Sequence, residues 1–102
     1  MKDQHICACQ LMIAASAALC MHSVRDENYQ VHVDILRECL PDAAHGPADL
    51  GPVWTAARDL SQSEDGRAQD AALTRLNTAL RRYFVQRVGA LYAAWSPVVM
   101  EG

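Results

Sequence analysis

The chain has 102 residues, 51% of them apolar but only 6% aromatic, with a formal net charge of −3. That length suits one domain with a core that needs no staples, and the lack of β-branched runs argues against a sheet protein. Nine basic residues in an acidic chain are a poor footprint for nucleic acid. The charge is also uneven: residues 1–66 balance at −6 and residues 67–102 at +3. The two halves can attract each other within one fold, or head to tail between chains.

The first predicted element is a helix over 4–22. No Asp, Glu, Lys or Arg stands between Asp3 and Arg25, and neither Gly nor Pro interrupts the run. Its few polar residues, Gln10, Ser16, His22 and Ser23, do not gather on one face. A helix apolar nearly all round belongs at the centre of a bundle or between subunits. Ala8, Ala14, Ala15, Ala17 and Ala18 would let other helices approach it closely.

A second helix is expected over 24–40, with Ser23 and Asp26 resembling a capping box and Pro41 marking the end. Tyr29, Val31, Val33 and Ile35 alternate as in a strand, but Tyr29, Val33, Leu36 and Leu40 fall at helical spacing. The helix accounts for more residues. Residues 41–51 form an irregular connection with a short turn around Ala48–Leu50. Pro52 suits the first turn of a third helix over 52–61, with Val53, Ala56, Ala57 and Leu60 facing inward.

The fourth helix, expected over 67–95 and closed by Pro97, carries the clearest pattern. Leu73, Leu76, Leu80, Phe84, Val88, Leu91 and Trp95 recur every three or four residues. Such a helix is about 43 Å long, against about 28 Å for the first. It overhangs a compact bundle unless it bends at Gly89, and an overhanging apolar stripe needs a cover. The expected fold is therefore all-α: a single compact four-helix bundle-like domain over residues 1–102, with a nearly all-apolar first helix and a long C-terminal helix.

Four cysteines and four histidines raise the question of metal or redox chemistry. On a helix Cys7 and Cys9 point about 200° apart and cannot share an ion. His5 and Cys9 can share a face, and Cys39 would have to come from another element. These three are the nearest approach to a ligand set, yet no CxxC or HxxxH spacing occurs, so no metal and no cofactor is expected. Buried cysteine acting as a small hydrophobe accounts for the pattern. The irregular cysteine spacing fits a reduced, cytoplasmic protein.

An exported protein is the alternative if residues 1–17 act as a signal peptide, since Ala15-Ser16-Ala17 fits a cleavage pattern. A membrane span is not expected, because alanines and polar residues dilute the first helix.

Arg87 projects into the apolar stripe of the fourth helix. Either it pairs or snorkels within the chain, or it marks a contact with a partner. With Leu91, Tyr92 and Trp95 it forms the candidate interface. Glu64–Asp65 and Asp26–Glu27 sit beside turns, where capping and solvation explain them. No nucleophile elbow, P-loop, dinucleotide fingerprint or HExxH helix occurs, so an enzyme is not expected.

The function these features suggest is a small non-catalytic interaction protein that binds itself or another protein through helix faces. An adaptor, a chaperone, an inhibitor and a small subunit of a larger assembly all fit that description. The alternatives are a Cys/His metal- or redox-responsive protein and a small nucleic-acid-binding regulator that would use Arg75 and Arg82.

Overall fold

A computed structural model describes the backbone of residues 4–44 and 46–99, with side chains for 6–44 and 46–89. The chain forms a compact, all-helical four-helix bundle-like domain: α1 (Gln4–Ser23), α2 (Tyr29–Ala43), a 3-10 turn (Ala48–Leu50), α3 (Gly51–Ser61) and α4 (Gly66–Val99). α1 packs chiefly on α2, and α3 chiefly on α4. α2 and α3 join the two pairs, and the contact between α1 and α4 is thin. Leu11, Leu36, Leu50, Val53 and Leu76 are the largest fully buried side chains. They come from all four helices and the turn, which places the core where the two helix pairs meet.

The α1–α2 connection departs from the expected capping box. Ser23 closes α1, and α2 starts at Tyr29 rather than residue 24. Arg25 adopts a left-handed backbone with φ 55°. Its N–H donates to the His22 carbonyl at 3.1 Å, and the Asp26 N–H donates to the Met21 carbonyl at 2.9 Å. That pair of bonds is a Schellman motif, which ends a helix by satisfying its last carbonyls. The Asp26 carboxylate is therefore free to accept the Asn28 N–H at 2.7 Å, turning the chain into α2.

Residues 29–35 are helical, as the spacing favoured. Pro41 does not end α2, which runs on to Ala43. Proline removes its own donor but leaves the following residues free to stay helical. The terminal carbonyls also find partners: Leu40 accepts the Trp54 indole N–H at 2.8 Å, and Ala43 accepts the Gly46 N–H at 3.0 Å. Gly46 meets a close approach here, since a Cβ would stand 3.1 Å from the Ala43 oxygen and 3.2 Å from a Leu50 methyl.

α2 and α3 clamp each other's ends. Trp54 of α3 holds the Leu40 carbonyl, and Arg37 of α2 donates to the Ser61 carbonyl at 2.8 Å. Both acceptors lie in a last helical turn, where carbonyls lack partners within the helix, and the guanidinium also meets the negative end of the α3 dipole. Asp65 caps α4, accepting the Ala68 N–H at 2.7 Å. α4 continues unbroken through Gly89 and past Pro97 to Val99. Its 34 residues give a rod of about 51 Å, which accounts for the 53 Å long dimension of the molecule.

Candidate functional site

α1 is not covered all round. Cys7, Ala8, Leu11, Ala14, Ala15 and Ala18 are buried and share one face. The opposite face carries Ile6, Cys9, Ile13 and Cys20, all exposed. Ile13 is 70% exposed, an unusual position for an isoleucine on an uncharged helix. The small side chains allow α2 to pack closely, with Leu11 the large residue buried among them, while Ile6 and Ile13 stay outside. The first helix thus does not stand at the centre of its own bundle: within the chain it is covered on one face only. Uniform apolarity erased the amphipathic signal, although the clustering of Ala8, Ala14, Ala15 and Ala18 on one side marks the face that packs.

The apolar stripe of α4 also divides. Leu73, Leu76 and Leu80 are buried as expected, but the core continues through Tyr83, 5% exposed, and not through Phe84. Phe84 is 46% exposed and Val88 60%. Residues i+3 and i+4 both flank the same helix face, so the spacing after Leu80 fits either one. Arg87 stacks over the ring of the buried tyrosine at 5.1 Å and bonds the Asp49 carboxylate of the 3-10 turn at 3.2 Å. Arg87 therefore takes the intrachain pairing, with its charge at the surface. Residues 84–89 are all exposed. Six consecutive helical residues sample every direction around the axis, so α4 has no buried face along this stretch.

Phe84 meets the outer face of α1. It closes an open cleft of about 350 Å³ with Cys9, Met12, Ile13 and Ser16, none of them charged. Phe84 and the exposed face of α1 thus form one apolar seam. Leu91, Tyr92 and Trp95 lie further along α4; their backbone is helical and their side chains fall outside the described residues. Sequence reasoning placed Phe84 in the core and did not single out Cys9 or Ile13 as surface groups.

Two of the three candidate metal ligands, Cys9 and Cys39, are not brought together. Cys9 opens into the α1–α4 cleft, and Cys39, half-buried on α2, lines a separate one with Gln10, Ala14 and Glu38. The side chain of His5 lies outside the described residues. Among the described residues, no group of three or more His, Cys, Asp or Glu is placed to hold a metal.

Two further clefts flank α4. One, of about 660 Å³, lies between the C-terminal end of α1 and α4, with Cys20, His22, Asp70, Asn77 and Arg81 around it. His22 sits edge-on to the Tyr29 ring at 5.2 Å, and Arg81 bonds Asn77 at 3.3 Å. These contacts hold neither group against Cys20 in the arrangement of a nucleophile and its base. The other cleft, between α3 and α4, contains Arg75 and Arg82 beside Thr55 and Thr78. Arg75 is tied to Asp59 at 3.5 Å, which offsets the positive charge there.

Comparisons with protein-family models, with curated proteins and with solved structures found no match to this chain.

Proposed function

We propose that this chain is a small non-catalytic interaction protein, with the α1–α4 seam as its binding surface. One observation carries the reading: an uncharged helix buries one face and leaves Ile6 and Ile13 uncovered, with half-exposed Phe84 beside Ile13. Contiguous exposed apolar surface of this kind costs solubility unless a partner covers it. Adaptor, chaperone, inhibitor and assembly-subunit roles all need such a surface, and the seam alone does not choose among them.

A membrane role is the second reading, because the Ile6–Ser23 window has a mean hydropathy of 1.6 with a third of it buried. Insertion or cleavage of α1 would withdraw Leu11, Ala14 and Ala15 from the core. That cost favours a packed α1 and a cytoplasmic protein. The metal and nucleic-acid readings rank lower, given the dispersed cysteines and the Arg75–Asp59 pair.

The test is capture of partners from native cells by the wild-type chain and by Ile13→Asp and Phe84→Asp, with binding of an apolar dye measured in parallel. The reading expects dye binding and partners that both substitutions release. Partners retained equally by all three chains, or no dye binding and no partner, would count against it. Flotation of the purified chain with lipid vesicles would favour the membrane reading.

A further inference from the structure

Resting on the interaction reading above, we propose that the partner is a basic amphipathic helix of another protein, seated in the groove between α1 and α2 that shares Ile13 with the seam. Its apolar face lies on Ile13, Ile35 and Val31, and a lysine or arginine near one end meets Glu38.

The shape of the groove supplies the first argument. α1 and α2 form a helical hairpin, and on its outer side Gln10 and Ile13 of α1 face Ile35, Glu38 and Asp42 of α2 across an open cleft of about 390 Å³. Ile13 and Ile35 are both exposed, and exposed Val31, one turn before Ile35, extends the apolar strip along α2. Ile13 also lines the cleft closed by Phe84, so it is the ridge common to groove and seam. Among the described residues every element is helical, so the surface offers no strand edge for an extended peptide to join. A groove between two packed helices takes a third helix, anchored by apolar residues one turn apart.

Charge selects the kind of helix. Among the described residues, the groove is lined by two carboxylates and by no lysine or arginine. Glu38 is exposed and makes no described hydrogen bond or ion pair, while Asp42, one turn on, already interacts within the chain. Both stand in the last two turns of α2, whose last turn carries no basic residue. Carboxylates there add to the negative end of the helix dipole, where a cation is favoured. Arg37, the one arginine of α2, is turned to the other side, held by Asp34 at 3.2 Å and by the Ser61 carbonyl of α3 at 2.8 Å. Residues 1–66, which contain the whole groove, balance at −6.

The same charges rank the other occupants lower. An anionic lipid surface is drawn to basic residues around an apolar face, and carboxylates repel it. A second copy would have to bring its α4, where Arg75 and Arg87 are already engaged with Asp59 and Asp49. An acidic or wholly apolar helix leaves Glu38 without a counterion at the rim of an apolar contact.

The experiment measures fluorescence anisotropy of a labelled probe peptide, matched in length to the 15 residues of α2, with leucines on one helical face and lysines beside them. A second probe replaces each lysine with glutamate. Each is titrated with the full chain as wild type, Ile35→Asp, Glu38→Lys and Glu64→Lys. Glu64 is exposed in the α3–α4 turn, so its reversal changes the net charge as Glu38→Lys does but leaves the groove intact. Circular dichroism checks that each variant remains helical, and Glu38→Lys, at an exposed position, carries the test should Ile35→Asp fail to fold. Wild type should bind the lysine probe about tenfold tighter than the glutamate probe. Ile35→Asp and Glu38→Lys should each weaken the lysine probe about tenfold, and Glu64→Lys should leave it unchanged. Ile35→Asp adds a negative charge, so a loss there reports the apolar contact. No binding of the lysine probe, or equal binding of both probes, overturns the proposal. Equal losses in Glu38→Lys and Glu64→Lys overturn it by showing general attraction to an acidic chain. A wild-type dimer in sedimentation that Glu38→Lys separates assigns the groove to a second copy and overturns it too. Should the probes fail while partners from native cells still depend on Ile13 and Phe84, this inference falls and the interaction reading stands. Loss of that dependence as well ends both.

Discussion

Trp54 on α3 donates its indole N–H to the main-chain carbonyl of Leu40 on α2 at 2.8 Å. The bond satisfies an acceptor in the last turn of α2, where a helix runs out of its own donors. Trp54→Phe keeps a ring against the core but removes the bond. The expected loss is about 1 kcal/mol, from a net hydrogen bond and a less well solvated carbonyl. Urea denaturation followed by circular dichroism measures it. A variant as stable as wild type would mean that water replaces the indole at no cost.

Arg25 should be improvable. Its φ of 55° is the left-handed conformation that glycine adopts freely and other residues resist. Arg25 is exposed, and its side chain makes no described hydrogen bond or ion pair. Arg25→Gly is expected to stabilise the fold by roughly 0.5–1 kcal/mol, the strain relieved less the entropy glycine adds to the unfolded chain. A β-branched replacement, Arg25→Val, should destabilise it. Thermal midpoints of the two variants should move in opposite directions.

The N-terminus of α4 depends on Asp65, which accepts the Ala68 N–H at 2.7 Å. Asp65→Ala leaves that N–H without its cap and removes a negative charge from the positive end of the helix dipole. A loss of about 1 kcal/mol is expected, and Asp65→Asn should recover most of it. Equal losses in the two variants would assign the effect to charge alone.

Tyr29 predicts a sensitivity to alkaline pH. Partial burial raises its pKa above the ordinary value near 10, Asp70 adds to the rise, and the hydrogen bond from Gln69 at 2.8 Å opposes it. The unfolded chain therefore loses this proton first. The stability linked to Tyr29 is fully present below pH 10 and is lost as pH rises through the higher folded value. Denaturation midpoints at pH 8 and pH 11 should differ less in Tyr29→Phe than in wild type.

Some of this was legible in the residues alone. The 3.6-residue period of Leu73, Leu76 and Leu80, and of Val33, Leu36 and Leu40, indicates helices whose inner faces are then observed. Asp65 reads as a capping residue and acts as one. Helix ends were harder. A capping box at Ser23 and Asp26 was the local expectation, but nothing in the sequence announces a left-handed Arg25, and the Schellman bonds that form there moved the start of α2 to Tyr29. Pro41 reads as a stop, yet a partner for the Leu40 carbonyl exists only once α3 has folded back against α2.

The candidate site shows the same division. By itself the sequence determined four helical segments, the uncharged character of α1 and the length of α4, because backbone period and composition act locally. Only the tertiary structure decided which apolar residues are covered. Tyr83 or Phe84 could follow Leu80 into the core, and either satisfies the helical period. The ring-stacked Arg87, reaching Asp49 in the turn before α3, goes with Tyr83 inside and Phe84 outside. α1 had no polar face to orient it, so its small residues turned toward α2 and Ile13 toward water. Periodicity specifies a face only when one side is polar. Where both sides are apolar, packing against a neighbour far along the chain makes the choice, and here it leaves Ile13 and Phe84 side by side at the surface.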